Sequence, residues 1–275
     1  MLSIMVVLAC TKPGDVGEDS GAAGEPDDSA AQSYPSSYDS GKYRAETLVI
    51  VEDQEAGGDV DGDGVTENKL PAVLMLVDIV TTRPTAAADI NATLVEDLGD
   101  GSIVVLAEMA YADGSLTQDI LLGLIDDLGA LGVDPASFAE DGTPNSRLTG
   151  VFVDETAYRV KADRILLPFP ILEDEPPILV PLELVKIEGA VTSEEVDGLM
   201  YGAVPVDDMV DGVIDPITPS GEDYDPADYQ DMERDEFLEY VRELANDPDF
   251  SDIDLGDGRR AISAALTFTA TKSDW

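Results

Sequence analysis

Three aspartates at alternate positions, Asp59, Asp61 and Asp63, are the residues of this chain whose spacing indicates a specific chemistry. Alternate residues of a tight loop converge on one point, and Gly64 directly after them permits the chain to reverse. Calcium takes about six to eight hard oxygen ligands, several of them carboxylates. The loop therefore predicts a calcium site, to which the backbone carbonyl of Val65 would add a further oxygen.

The position that closes such a loop departs from the helix–loop–helix pattern. A complete EF-hand loop has Glu at its twelfth position, which is Leu70 here. The sequence therefore does not predict a calcium sensor with paired helices, and Glu67 and Asn68 are the candidate closing ligands. The alternative is a metal-free, Asx-rich turn that caps the next helix. A looser copy of the pattern is a second candidate metal site, formed by Asp252, Asp254 and Asp257.

Composition restricts the function further. The 275 residues carry a formal net charge of −44, which disfavours nucleic acid and anionic membrane surfaces as partners and favours cations or a saline medium. The chain has no histidine, so Ser-His and Cys-His catalysis and His-ligated zinc are excluded. A glycoside hydrolase needs only two carboxylates, and the strand-borne candidates are Glu108, Glu183 and Glu188.

The N-terminal residues resemble an export signal. Residues 1–10 are apolar, too short to span a bilayer, and end in Val7-Leu8-Ala9-Cys10, the pattern of a lipobox whose Cys receives the lipid. No Lys or Arg precedes the run, which departs from a usual signal peptide. The alternative is an N-terminal strand with a buried Cys10. Residues 11–43 are acidic and rich in Gly, Ser and Pro, which predicts a disordered tether, with or without a lipid.

Residues 44–275 are expected to form one β-rich domain. Apolar or alternating runs predict strands at 48–51, 103–111, 151–160, 164–172, 178–190, 199–206 and 262–271. Helical spacing predicts helices over 70–77, for which a buried strand is the alternative, and over 87–98, 116–128 and 232–245. Residues 129–147 and 211–231 are expected to be surface loops, the second of them acidic.

Two strands carry finer predictions. The apolar side of 178–190 changes parity at Leu184 and Val185, which predicts a β-bulge there. The strict alternation of 262–271 predicts a strand with one buried and one wet face, placed beside the first strand. The expected fold is α+β, mainly an antiparallel, sandwich-like sheet with several helices packed against it, preceded by the disordered tether.

The order of these features resembles a group of bacterial surface lipoproteins with Asp-rich loops. The resemblance rests on the lipobox and tether, on residues 59–70, 89–94, 101–106 and 198–203, and on the closing segment 257–270. The first loop is similar to the Asp-Gly-Asp-Gly calcium loops of thrombospondin type 3 repeats and dockerins. The resemblance spans about residues 45–272 and implies a location and a β-rich fold, but no activity.

Together these features predict a lipid-anchored, calcium-stabilised binding or structural module of the bacterial cell envelope, at the outer membrane or cell surface. Its membrane contact would be the lipid on Cys10 alone, and nucleic acid is not expected as a partner. The alternatives are a secreted, carboxylate-dependent glycoside hydrolase and a subunit of a larger envelope assembly.

Overall fold

The computed structural model describes residues 36–81, 86–126, 128–169, 177–256 and 258–275. The predicted lipobox with Cys10 and most of the predicted tether lie outside the described residues, as does Asp257. Among the described helices, none is long and apolar enough to cross a membrane.

The described part of the chain is mainly β-structure. Its strands are β1 Ser40–Ile50, β2 Val105–Ala112, β3 Ser115–Ile125, β4 Leu131–Val133, β5 Arg147–Phe152, β6 Ala157–Phe169, β7 Ile178–Val191, β8 Glu195–Pro205, β9 Ile253–Asp254 and β10 Arg260–Lys272. Its α-helices are α1 Leu70–Thr81, α2 Ala87–Asp100, α3 Val206–Met209, α4 Asp215–Ile217 and α5 Arg234–Ala245. A π-helical turn occupies Val210–Ile214, and 3-10 turns occupy Pro135–Ser137, Gly221–Asp223 and Pro226–Asp228.

The strands close into an antiparallel barrel. Each strand pairs with the next in the order β1, β2, β3, β5, β6, β7, β8, β10, and β10 pairs back with β1. The short strands β4 and β9 are attached to β3 and β10. The prediction of a sandwich-like sheet with several packed helices is therefore wrong. One sheet closed on itself buries the same alternating side chains as two stacked sheets would, and closure leaves no sheet edge unpaired.

The pairing that closes the barrel confirms the expected neighbour of the last strand. Leu48 of β1 lies opposite Phe268 of β10, and both side chains are buried in the main core. The predicted bulge is also confirmed, because the β7–β8 register shifts between Glu183 and Lys186. Leu184 at that point has a φ of 53°, a left-handed conformation that is unusual for a residue with a branched side chain.

The segment predicted as a helix over 116–128 is strand β3. Its inner face carries Leu116, Gln118 and Ile120, while Leu121 faces outward into a small second core with Leu106 and other residues. Because apolar side chains lie on both faces, the segment lacks a clean period of two and imitates helical spacing.

Helices α1, α2 and α5 are confirmed. The buried Asn91 of α2 fixes that helix to the end of β1, since its Nδ2 donates to the Ile50 carbonyl and its Oδ1 accepts from the Ile50 N–H. The acidic loop expected at 211–231 is partly wrong, because the helical turns at its start bury Val213, Ile214 and Ile217. These three side chains join the main core, and their burial anchors this acidic stretch to the barrel.

The outer face of β8 and β10 is covered by the segment between β1 and α1. Tyr201, Ala203 and Ala265 point out of the barrel here, yet they are buried in a separate apolar cluster with Val60. The wet face expected for the last strand therefore begins only at Thr267. The Asp-rich loop is part of this cover.

Candidate metal site

The Asp-rich loop closes on itself at its base. The Glu67 N–H donates to the Gly58 carbonyl at 3.1 Å, and the two residues form an isolated antiparallel bridge. Gly62 and Gly64 have φ values of 90° and 87°, which glycine adopts without strain. The sequence therefore produces a tight loop of fixed shape between β1 and α1.

The loop is seated on the barrel wall by three contacts. Val60 is 2% exposed and packs in the cluster with Tyr201. Gly58 leaves no room for a side chain, since an added Cβ would lie 2.3 Å from Tyr201 ring atoms. Lys186 of β7, just after the bulge, donates from Nζ to the Asp59 carbonyl at 2.8 Å. The carboxylates are thus presented from a supported backbone.

The three aspartates lie together as their spacing predicts. Asp59, Asp61 and Asp63 each offer one carboxylate oxygen, and these oxygens all lie within 4.8 Å of one another. Asp59 is half-buried, whereas Asp61 and Asp63 are exposed. Within the described ranges this is the one group of three or more His, Cys, Asp or Glu side chains close enough to hold a metal ion.

Backbone N–H groups of the loop orient these carboxylates. Asp59 accepts from Gly62 at 2.7 Å through Oδ1 and from Gly64 at 3.1 Å through Oδ2. Asp61 accepts from the Asp63 N–H at 3.1 Å, and Asp63 accepts from the Val65 N–H at 2.8 Å. These Asx-turn contacts suit a metal site and a metal-free turn equally.

Glu67 adds a fourth carboxylate with an unusual environment. Its Oε2 is buried and has no hydrogen-bond partner within the described part of the chain. Burial, which is the largest cause, and the charges of Asp252, Asp61, Asp63 and Asp59 together raise the pKa of Glu67 to about 7. Within the described residues this oxygen therefore has no donor and lies among negative charges, an environment that a bound cation would stabilise.

The other two candidate ligands differ from each other. Asn68 is 1% exposed, and its Nδ2 donates to the carbonyls of Val51 at 2.6 Å and Asp53 at 3.1 Å. Its Oδ1 accepts from the Ala265 N–H at 3.2 Å, so the amide joins the loop segment to β10. Val65 is 55% exposed. Because its side chain is apolar, only its backbone carbonyl could contact an ion.

The second Asp-rich segment is arranged differently. Asp252 accepts from the N–H of Ser263 at 2.9 Å and from its hydroxyl at 2.6 Å, which ties the segment to β10. Asp254 accepts from the Gly256 N–H at 2.8 Å within its own turn. Sequence reasoning missed Ser263, which is fully buried and also accepts from the Lys69 N–H at 2.9 Å. Its only signal is a hydroxyl within an otherwise apolar run.

Two of the three carboxylates considered for glycoside hydrolysis are paired with arginines. Glu183 makes a bidentate contact with Arg259, at 3.1 and 3.2 Å. Glu188 lies 3.2 Å from Arg159 and accepts from the Tyr201 hydroxyl at 3.3 Å. This arrangement gives neither group the free, facing partner that two-carboxylate catalysis requires.

No protein-family model, curated protein or solved structure matches this chain. The function is therefore argued from the residues and their geometry alone.

Proposed function

We propose that this protein is a lipid-anchored barrel module of the bacterial cell envelope, in which calcium bound by the loop of residues 58–67 fixes that loop against the barrel wall. The observation that carries the proposal is the convergence of Asp59, Asp61 and Asp63 within 4.8 Å. The three aspartates, the Val65 carbonyl and the two candidate closing ligands, Glu67 and Asn68, all offer hard oxygens, which calcium prefers.

Electrostatics favour a cation at this place. Three carboxylates in one small volume repel one another, and the net charge of −44 adds a background of the same sign. The buried Oε2 of Glu67 has no donor within the described residues, and its pKa of about 7 reflects the cost of placing its charge there. A divalent ion would offset both costs.

The location indicates what the ion would do. The loop follows β1, precedes α1 and packs on β8, so it joins three parts of the barrel surface. An ion that binds only the folded state raises the free energy of unfolding by RT ln(1 + [L]/Kd), about 2.7 kcal/mol at a hundredfold excess over Kd. Calcium is therefore proposed as a structural staple, in a module whose own ligand stays unassigned.

The test is the melting temperature of protein prepared in calcium, before and after EDTA. We expect EDTA to lower the melting temperature and added calcium, but not equimolar magnesium, to restore it, because magnesium demands a smaller octahedral site. An unchanged melting temperature would contradict the proposal. Asp249→Ala, which removes an exposed aspartate far along the chain, is the matched control for the loss of one negative charge.

The lipid anchor is tested separately. The apolar run ending in Leu8-Ala9-Cys10 supports lipidation of Cys10. We expect the expressed chain to partition into the detergent phase of Triton X-114 and Cys10→Ser to move it to the aqueous phase. Equal partitioning of the two proteins would contradict the anchor and leave the calcium proposal untouched.

A further inference from the structure

Strand β4, Leu131–Val133, keeps one edge outside the barrel. It pairs with the end of β3 and with no other strand among the described residues. The Asp134 N–H donates to the Leu122 carbonyl at 2.9 Å, and this bond sets the alternation of the antiparallel ladder. Leu131 and Val133 therefore direct their N–H and carbonyl groups away from β3, where the described part of the chain offers them no backbone partner.

The other attached strand shows how such an edge is usually protected. Strand β9 carries the charge of Asp254, and a charge at a sheet edge hinders pairing with another chain. Strand β4 has neither a charge nor a proline, and all of residues 128–133 are uncharged in a chain of net charge −44. The free edge of β4 is therefore open to another strand.

Large apolar side chains are exposed around this edge. Leu128, in the turn before β4, is 93% exposed, and Leu124 and Ile125 of β3 are 47% and 43% exposed. The turn has a fixed shape, because the Asp126 carboxylate accepts from the N–H groups of Leu128 and Ala130 at 2.9 and 2.8 Å. Exposed apolar side chains grouped in this way mark an interaction surface.

We propose that β4 pairs antiparallel with β4 of a second copy of this chain, about a two-fold axis at Gly132. This register places Leu131 opposite Val133 of the second copy, and such a pair exchanges two backbone hydrogen bonds. The axis repeats the same pair on its other side. Gly132 lies opposite its own copy in the closely spaced pair between them, where a Cβ would have nothing within 4 Å in one copy.

The same register suits the side chains and the charges. One row across the four strands contains only uncharged residues, namely Ile125, Leu131, and Val133 and Gly123 of the second copy. Asp134 lies opposite Ala130 of the second copy, so the register places no two carboxylates directly opposite along this edge. Like charges at opposite positions would destabilise the pairing, and this sequence avoids them.

The size of the contact predicts a weak, reversible dimer. Stable interfaces bury at least about 1,200 Å², and two edges of three residues with the apolar side chains around them form a smaller contact. The charge of −44 on each copy also opposes association, and salt at 0.1 M screens such repulsion beyond about 10 Å. We therefore expect dimerisation at high protein concentration, strengthened by salt.

The test is sedimentation velocity of the full chain carrying Cys10→Ser, so that no lipid drives association. We expect the weight-average sedimentation coefficient to rise with protein concentration, and more steeply in higher salt. Gly132→Lys places two like charges opposite each other at the axis while it lowers the net negative charge, and we expect it to weaken dimerisation at least tenfold. Gly212→Lys makes the same charge change at another position with open space for a side chain, and should dimerise at least as strongly as the parent.

A cysteine at the axis gives a second measurement. Cys10→Ser removes the one cysteine of the chain, so Gly132→Cys adds a single thiol. The closely spaced pair has its Cα atoms about 4.5 Å apart, within the range of about 4.4–6.8 Å that a disulfide spans. We expect oxidised glutathione to link this variant into a disulfide dimer much faster than Gly212→Cys. A parent that stays monomeric at every concentration, unchanged dimerisation of Gly132→Lys, or equal cross-linking of the two cysteine variants would overturn the proposal.

Discussion

The two Asp-rich segments of this protein, residues 58–67 and 252–258, have similar compositions but different connections. In the first, the carboxylates of Asp61 and Asp63 accept from N–H groups of their own loop and remain exposed. In the second, Asp252 accepts twice from Ser263 of a neighbouring strand. The same residue type therefore serves a candidate ion site in one place and the attachment of a chain segment in the other. The role of each aspartate depends on its hydrogen-bond donors, which come from the same loop in the first segment and from a neighbouring strand in the second.

Glu67 connects the two regions. The charges of Asp252 and of all three loop aspartates raise its pKa, with burial as the larger cause. The two segments therefore share one electrostatic environment on the outside of β8 and β10, although among the described residues only the first segment gathers three carboxylates. Substitutions in each segment can distinguish the attachment of a chain segment from the binding of an ion.

The largest effect is expected at Asp252. Asp252→Ala removes two hydrogen bonds and leaves the fully buried Ser263 without its acceptor, at an expected cost of about 3 kcal/mol in the free energy of unfolding. Urea unfolding should give the same loss in calcium and in EDTA. Asp252→Asn, which keeps an acceptor, should lose less. A loss confined to calcium would assign Asp252 to the ion site instead.

The second effect is expected at Asp61. Asp61→Ala removes one carboxylate of the triad and no contact to the barrel, so we expect a loss of about 2 kcal/mol in calcium and almost none in EDTA. Calcium-dependent and calcium-free urea titrations of the variant and of Asp249→Ala check this. An equal loss in both conditions would favour the metal-free Asx turn.

The third prediction concerns pH. Because the pKa of Glu67 is raised from its ordinary 4.5 to about 7, the folded protein holds this proton more tightly than the unfolded chain does. In EDTA, the free energy of unfolding should therefore fall as the pH rises from about 4.5 to about 7. Glu67→Gln should flatten this fall and gain less stability from calcium. The same pH slope in both proteins would show that Glu67 is not its source.

The smallest effect is expected at Lys186. Lys186→Met removes the hydrogen bond to the Asp59 carbonyl and should cost about 1 kcal/mol in EDTA, measured by urea unfolding. It also removes a positive charge beside the proposed ion, so calcium should raise its melting temperature more than that of the parent. Lys272→Met, which removes an exposed lysine at the far end of β10, is the control. A smaller calcium effect in Lys186→Met would indicate that loop seating outweighs charge.

Local patterns predicted several elements correctly. The alternation of 262–271 identified β10, and the parity change at Leu184 located the bulge, because both are properties of a few consecutive residues. The segment at 116–128 misled because Leu121 and Leu116 are buried on opposite faces of one strand. Closure of the barrel could not be predicted from the sequence either, since strands in a barrel and in a sandwich have the same alternating pattern.

Some features of the candidate site were likewise predictable from the sequence, and others were not. The spacing of Asp59, Asp61 and Asp63 by itself determined that three carboxylates meet, because alternate residues of a glycine-containing loop converge. The sequence also excluded Ser-His and Cys-His catalysis and His-ligated zinc, because the chain has no histidine. Only the tertiary structure decided that Asn68 and Asp252 hold the loop region to β10. Those roles depend on residues about 10 to 200 positions apart, which a local pattern does not encode, and on burial, which turns an ordinary polar side chain into one that needs a partner.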